Sequence, residues 1–408
     1  MSPAAETTAT RVRPIFWVAL LIVLSCCIEA GAYLIEWASP RLLQEPIRRR
    51  ASILREQSDR IARLVDSAQD RREALDPVLG WRYRAGFASE TDHITAQGLR
   101  GHRVYDTIPG ARTLRVAAFG DSFTYGNEVA DNDTWTVALE KADKDLEALN
   151  YGVGGYGVDQ AFLRYQLEGS ALHPDVVLIG FMSDDLRRMV NVYRRFISSL
   201  ELPLAKPRFV LRPDGSLSVA PNPLRHLDGY RRLLRNPQAV RKMGANDHWY
   251  SATVYENPLY DYIASLRVGH ALFQRLDRRF GADRLFRGDD EFNEHSTAFA
   301  LQVAVMRAFA DTVRARRAIP AVLFLVDRNS VEKMRRGQAV TYATLKDALI
   351  KDGLTVWDAA DAFRATSGPL DPLFNSGGHY SGAGNRLVAT WLAGHLDSLR
   401  GRALAVRR

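Results

Sequence analysis

The sequence predicts an α/β fold: three layers, α/β/α, around a mostly parallel sheet, preceded by an N-terminal membrane helix. Three observations predict it. From residue 114 to residue 400, short apolar runs alternate with helical patterns, the succession that builds parallel strands covered on both faces. Polar or glycine-rich loops follow the first three apolar runs, where a parallel sheet presents its ligand-binding edge. Residues 15–37 carry only two charges, Glu29 and Glu36, over a length that suits a bilayer core.

The elements follow in order. Residues 1–14 are an N-terminal tail and 15–37 the membrane segment. Within 38–110, Ile53, Leu54, Ile61, Leu64 and Val65 recur at helical spacing, predicting an amphipathic stalk helix that ends near residue 75. A glycine-rich approach segment follows, with Gly80, Gly86, Gly98, Gly101 and Gly110. Residues 111–400 form the main domain. Leu114–Phe119, Leu146–Asn150, 176–180, 321–326 and 355–357 read as strands. Residues 134–144, 158–167, 299–317, 342–350 and 384–400 read as helices. Between about 191 and 295 the succession lapses into an insertion, in which Asp214-Gly215 between apolar runs predicts a hairpin.

Composition narrows the class. Of 408 residues, 46% are hydrophobic and 25% charged, which excludes a disordered, collagenous or disulfide-scaffold protein. The formal charge is +8, but doublets such as Arg187-Arg188, Arg278-Arg279 and Arg335-Arg336 are interleaved with acids. That pattern fits a solvated surface, so no nucleic-acid partner is expected. The only cysteines, Cys26 and Cys27, are adjacent within the apolar stretch, so the folded part holds no disulfide and no cysteine metal site.

Three fates compete for the apolar stretch: a retained signal anchor, a signal peptide cut after Ala30-Gly31-Ala32, or a lipoprotein-like site at Val23-Leu24-Ser25-Cys26. Apolar character continues through Tyr33, Leu34 and Ile35 beyond the cut, which favours the anchor.

Four segments could carry chemistry. Gly120-Asp121-Ser122 follows the first strand; its serine is either a nucleophile at the sheet edge or part of a helix cap. Thr124 stands where the α/β-hydrolase elbow requires glycine. Gly152, Gly154 and Gly157 match a dinucleotide fingerprint by spacing, but after the second strand, and Asp175 precedes the third strand instead of ending it. Such glycines also let a backbone N–H approach a reacting carbonyl, or simply make a turn. Ser183-Asp184-Asp185 ends the third strand; adjacent carboxylates on an extended chain point apart, so they do not form a convergent pair, and a helix cap is the other reading. Of nine histidines, only His379 lies in a glycine-rich loop before a closing helix, in Asn375-Ser376-Gly377-Gly378-His379.

Taken in this order and placement, the four segments resemble the SGNH hydrolase superfamily, the GDSL esterases, whose sheet is flavodoxin-like. The resemblance covers about 111–190 and 296–400. Leu79-Gly80-Trp81-Arg82 and Gln97-Gly98-Leu99-Arg100-Gly101 look like membrane-associated bacterial members. The resemblance implies Ser122 as nucleophile and first oxyanion donor, Gly155 as second donor, Asp121 as a brace of the loop, and His379 as general base. It implies no metal or organic cofactor.

Two positions depart from the family. Where it usually has an asparagine as third oxyanion donor, this chain has Asp184, and a carboxylate accepts hydrogen bonds instead of donating them. Ser376 stands where the family has an acid three residues before the histidine, which leaves Asp371, a backbone carbonyl or another residue to orient His379.

The expectation is an ester hydrolase acting through an acyl-Ser122 intermediate on an acyl ester such as an acylated cell-envelope polysaccharide. An O-acyltransferase with a sugar hydroxyl as acceptor, a catalytically silent scaffold, and a dinucleotide-dependent oxidoreductase are the alternatives. Arg11 and Arg13 precede the membrane segment, and Arg41 and Arg48, Arg49 and Arg50 follow it, so loop charge alone favours a cytoplasmic domain. A short tail before a large domain resembles an exported enzyme instead. The expected location is therefore the cell membrane, crossed once, with the catalytic domain periplasmic or extracellular.

Overall fold

The computed structural model describes residues 14–43, 46–288 and 290–407. The tail, with Arg11 and Arg13, lies outside them. The chain divides into two compact units, one of residues 1–56 and 251–277, the other of 57–250 and 278–408.

In the larger unit a hairpin of β1 (Glu73–Asp76) and β2 (Gly80–Tyr83) precedes the main sheet. β3 (Leu114–Phe119), β4 (Leu146–Asn150) and β5 (Val176–Phe181) open that sheet. Two hairpins follow, β6 (Arg208–Leu211) with β7 (Leu217–Ala220) and β8 (Phe286–Arg287) with β9 (Glu291–Phe292). β10 (Ile319–Phe324) and β11 (Val356–Asp358) complete the sheet. Its order is β11-β10-β5-β3-β4 and every pairing is parallel.

This is the flavodoxin-like strand order, whose reversal lies between β3 and β5. Every residue of β3, β5 and β10 is buried, as a sheet covered on both faces requires. Helices Trp135–Ala142 and Gly382–Arg407 pack together in one layer; Val158–Glu168 and Thr297–Ala315 pack together in the other.

The predicted strands match within two residues at either end. The predicted hairpin is the β6–β7 turn, where Gly215 has φ +81° and Asp214 accepts from the N–H and hydroxyl of Ser216. The stalk helix is shorter than periodicity suggested. It ends at Asp66, and residues 73–76 belong to β1 because their backbone pairs with Gly80–Tyr83.

The smaller unit contains the helix Pro14–Leu42, long and apolar enough to cross a membrane. Ala32 and Ser39 are its buried residues. Ala32 packs with Ala264 and Val268, at the start of the helix Ala264–Phe280.

Candidate active site

The end of β3 delivers the first loop. Asp121 caps the short helix Ser122–Tyr125, its Oδ1 accepting from the Phe123 N–H at 2.9 Å. Capping fixes the first helical turn and sets Ser122 at its start, only 7% exposed. The loop after β4 runs beside it: the Tyr151 and Val153 N–H groups donate to the Ala118 and Gly120 carbonyls at 2.8 and 3.0 Å. Buried Asn150 joins the two loops, donating to the Thr124 and Tyr125 carbonyls and accepting from the Gly152 N–H.

Two aromatic residues of β2 hold the glycine loop. The Tyr83 hydroxyl accepts from the Gly154 N–H at 2.7 Å, and Trp81 Nε1 donates to the Gly154 carbonyl at 3.1 Å. That carbonyl shares its planar peptide unit with the Gly155 N–H, so Trp81 fixes the direction in which the N–H points. Gly155 has φ +77°, a conformation costly to any residue with a Cβ. Among the described residues the Ser122 and Gly155 N–H groups donate to no protein acceptor.

His379 arrives from the loop before the closing helix. Its Nε2 lies 2.9 Å from Ser122 Oγ and its ring packs against Phe123 at 4.9 Å between centroids. Its Nδ1 lies 2.5 Å from Glu128 Oε1. A carboxylate only accepts, so Nδ1 carries the proton and Nε2 of the neutral ring faces the serine as an acceptor.

Glu128 is the acid beside His379 that sequence reasoning missed. It follows Ser122 on the same loop and has φ 67°, a left-handed conformation rare for glutamate. The histidine loop holds it there: the Gly377 N–H donates to Oε2 at 3.1 Å and Asn375 Nδ2 donates to the Glu128 carbonyl at 3.0 Å. A Cβ on Gly377 would lie 2.0 Å from Oε1, so glycine there makes room for the carboxylate. Asp371, the named candidate, is exposed and pairs with Arg328 at 2.5 Å. The available signals were an acid six positions past the serine and glycines beside the histidine.

The Ser183-Asp184-Asp185 segment is not the extended chain expected: Asp184 has φ −68° and ψ −17°, and Asp185 opens the helix Asp185–Met189, where adjacent side chains also point apart. Asp184 is exposed and its side chain caps nothing. No described hydrogen bond joins the Asp184 carboxylate to Ser122 or His379, so the contacts described do not bring it together with them. Asp185 is buried, and its Oδ2 accepts from the Met182 N–H. One nitrogen of Arg188 lies 3.1 Å from Asp121 and 3.1 Å from Asp185. Burial, and then the neighbouring Asp121 carboxylate, push Asp185 well above the ordinary carboxylate range, with Arg188 pulling the other way. Arg188 thus ties Asp121 to Asp185.

A second anchor holds the Glu128 loop. Arg100 donates to the Gly126 and Val129 carbonyls at 3.2 and 2.7 Å and to Asp131 at 2.9 Å. Among the described residues, His93, His102 and Asp131 are the one group of such side chains close enough to share a metal ion. The fixed Arg100 cation on that carboxylate opposes a second positive charge, so the cluster serves as an ion-paired clamp.

A sequence model of the GDSL-like lipase/acylhydrolase family matches residues 118–387. The chain belongs to this family. The match spans Ser122, Glu128, Gly155 and His379 together, and GDSL-like acylhydrolases are ester hydrolases. No curated protein sequence matches the chain.

Solved structures match the chain at low identity. A lipase/acylhydrolase from Enterococcus faecalis is 12% identical over 71% of this chain and 96% of its own, with a TM-score of 0.33. A member of the lipolytic G-D-S-L family from Veillonella parvula DSM 2008 is 14% identical over 68% and 94%, with a TM-score of 0.31. A two-domain esterase active on acetylated mannans is 12% identical over 71% and 50%, with a TM-score of 0.34.

Proposed function

We propose that this GDSL-like acylhydrolase is a serine esterase that works through an acyl-Ser122 intermediate, with His379 as general base and Glu128 as its orienting acid. The observation that carries the reading is the unbroken chain from Ser122 Oγ to His379 Nε2 at 2.9 Å and from His379 Nδ1 to Glu128 Oε1 at 2.5 Å. A hydroxyl is a poor nucleophile near neutral pH, so a base within hydrogen-bond reach must take its proton.

As Oγ bonds to the ester carbonyl carbon, its proton passes to Nε2. The carbonyl oxygen becomes an oxyanion, received by the free N–H groups of Ser122 and Gly155. Collapse expels the alcohol, which leaves with the proton from Nε2, and Ser122 holds the acyl group. Water then attacks with the same base, releasing the carboxylic acid and regenerating the serine. Glu128 stabilises the imidazolium in both halves without taking its proton.

The connected triad supports an active enzyme over a silent scaffold, since neither departure from the family pattern leaves the base without an acid. We further propose that Pro14–Leu42 is a single-pass anchor with the catalytic domain periplasmic or extracellular. An acylated cell-envelope polysaccharide is the substrate class within reach of such an anchored domain.

Turnover of p-nitrophenyl acetate by the full chain in detergent tests the chemistry. Ser122→Ala and His379→Ala should each lose at least about a thousandfold in kcat, the scale on which such triads fail. Equal rates for the three proteins would overturn the proposal. Release of acetate from acetylated polysaccharide by the wild-type protein alone tests the substrate class.

A further inference from the structure

The helix Ala264–Phe280 has an apolar face with no role in the site above. At about 100° per residue, Leu266, Leu272, Phe273, Leu276 and Phe280 fall within one sector of about 120°. Arg267, Gln274, Arg275, Arg278 and Arg279 occupy the other side. The apolar face is open: Leu272 is 50% exposed, Phe273 64%, Leu276 57% and Phe280 67%. Single exposed leucines are ordinary, but a contiguous face of this size marks an interaction surface.

The start of this helix is fixed to the long apolar helix of the same compact unit. Glu29 receives the N–H groups of Ala264 and of Ser265, the latter at 3.1 Å, so its carboxylate caps the helix N-terminus and meets the positive end of the dipole. Glu36 pairs with buried Arg267, whose Nη2 lies at 3.0 Å. Both carboxylates of the long helix Pro14–Leu42 are thereby matched, as ionisable groups near a bilayer must be.

The depth also agrees. Glu29 stands fifteen residues after Pro14, about 22 Å along the helix axis. In a hydrocarbon core about 30 Å thick, the second helix therefore begins about 8 Å inside the far boundary, within the roughly 5–10 Å at which interfacial amphipathic helices lie.

We infer that the helix Ala264–Phe280 lies in the surface of the bilayer crossed by Pro14–Leu42, with Leu272, Phe273 and Leu276 among the acyl chains and Arg275, Arg278 and Arg279 toward anionic phospholipid headgroups. The inference rests on the anchor reading. Three arginines against the single acid Asp277 in the last two turns supply the charge complementarity. The second helix turns a flexible one-point tether into a two-point mount.

The test uses the full chain with Cys26→Ser and Cys27→Ser, reconstituted in phosphatidylcholine/phosphatidylglycerol vesicles. Single cysteines Leu272→Cys, Leu276→Cys, Arg275→Cys and Leu21→Cys carry an environment-sensitive fluorophore. Unchanged p-nitrophenyl acetate turnover verifies folding. Labels at 272 and 276 should be quenched several-fold more by a shallow lipid-borne nitroxide than by aqueous iodide; the label at 275 should show the reverse.

Lipid quenching at 21 with iodide access at 272 and 276 would overturn the inference and leave the anchor standing. Iodide access at 21 would overturn the anchor, and this inference with it. Shielding of 272 and 276 from both quenchers, growing with protein density, would assign the face to a second copy of the chain and equally overturn it.

Discussion

Replacing Glu128 by glutamine isolates the charge of the acid from its shape. The carboxylate faces two N–H groups, of Nδ1 and of Gly377; with the amide oxygen turned to Nδ1–H the ring keeps its tautomer, and the negative charge opposite the developing imidazolium is lost. The side chains of His379 and Glu128 are 19% and 31% exposed, so the pair lies neither in bulk water nor in a dry interior. For charges about 4 Å apart, Coulomb's law gives about 1 kcal/mol in water and about 4 kcal/mol at an effective dielectric constant of about 20. An intermediate value of about 2–3 kcal/mol corresponds to a fall in kcat of about 30- to 150-fold. That is well short of the roughly ten-thousandfold loss seen where the amide imposes the wrong histidine tautomer, the outcome expected with the amide NH2 turned to Nδ1. Stopped-flow hydrolysis of p-nitrophenyl acetate would measure it, with KM nearly unchanged because the ground-state ester carries no charge near the ring. A Glu128→Gln protein that retains kcat within about threefold of wild type would refute the electrostatic role argued from Coulomb's law.

Two further perturbations follow from the site. Trp81→Phe removes the hydrogen bond that aims the Gly154–Gly155 peptide while keeping an aromatic ring; kcat should fall about tenfold, less than the loss of an oxyanion donor itself, with KM little changed, and an unaltered kcat would deny Trp81 a positioning role. Asp185, whose folded pKa is raised, binds its proton more tightly in the folded state. Its stabilising contribution is therefore full below the ordinary carboxylate value of about 4 and declines as pH rises through the folded value. Asp185→Asn should gain stability relative to wild type over that rise in urea unfolding, and parallel curves for the two proteins would contradict the assignment.

The sheet was legible because its strands are buried on both faces, which forces continuous apolar runs such as Val176–Phe181 that no surface element needs. Ser122 and His379 were legible because each sits in a distinctive loop at the same edge, though 257 residues separate them. Glu128 was not. Nothing local marks it: its contact lies 251 residues away, and its left-handed backbone is imposed by tertiary contacts from Asn375 and Gly377, against glutamate's own preference. Asp184 and Asp185 show the complementary limit. The sequence argued divergence from an extended chain, whereas Asp185 opens a helix, and only the position of Arg188 decides which carboxylate turns inward. The stalk helix was overextended because an amphipathic period continues into residues whose backbone is claimed by a neighbouring strand, and pairing outweighs propensity there.

In the proposed triad, nucleophile and acid are borne on one stretch of chain, Ser122 to Glu128, the imidazole is the sole visitor from elsewhere, and a single gap between two loops determines whether all three groups align. Under that proposal the third place ahead of the histidine has no chemical duty, and a plain serine can stand at position 376. A scan that demands an acid there would discard this chain as an inert cousin, and would discard with it any relative that recruits its carboxylate from the opposite rim.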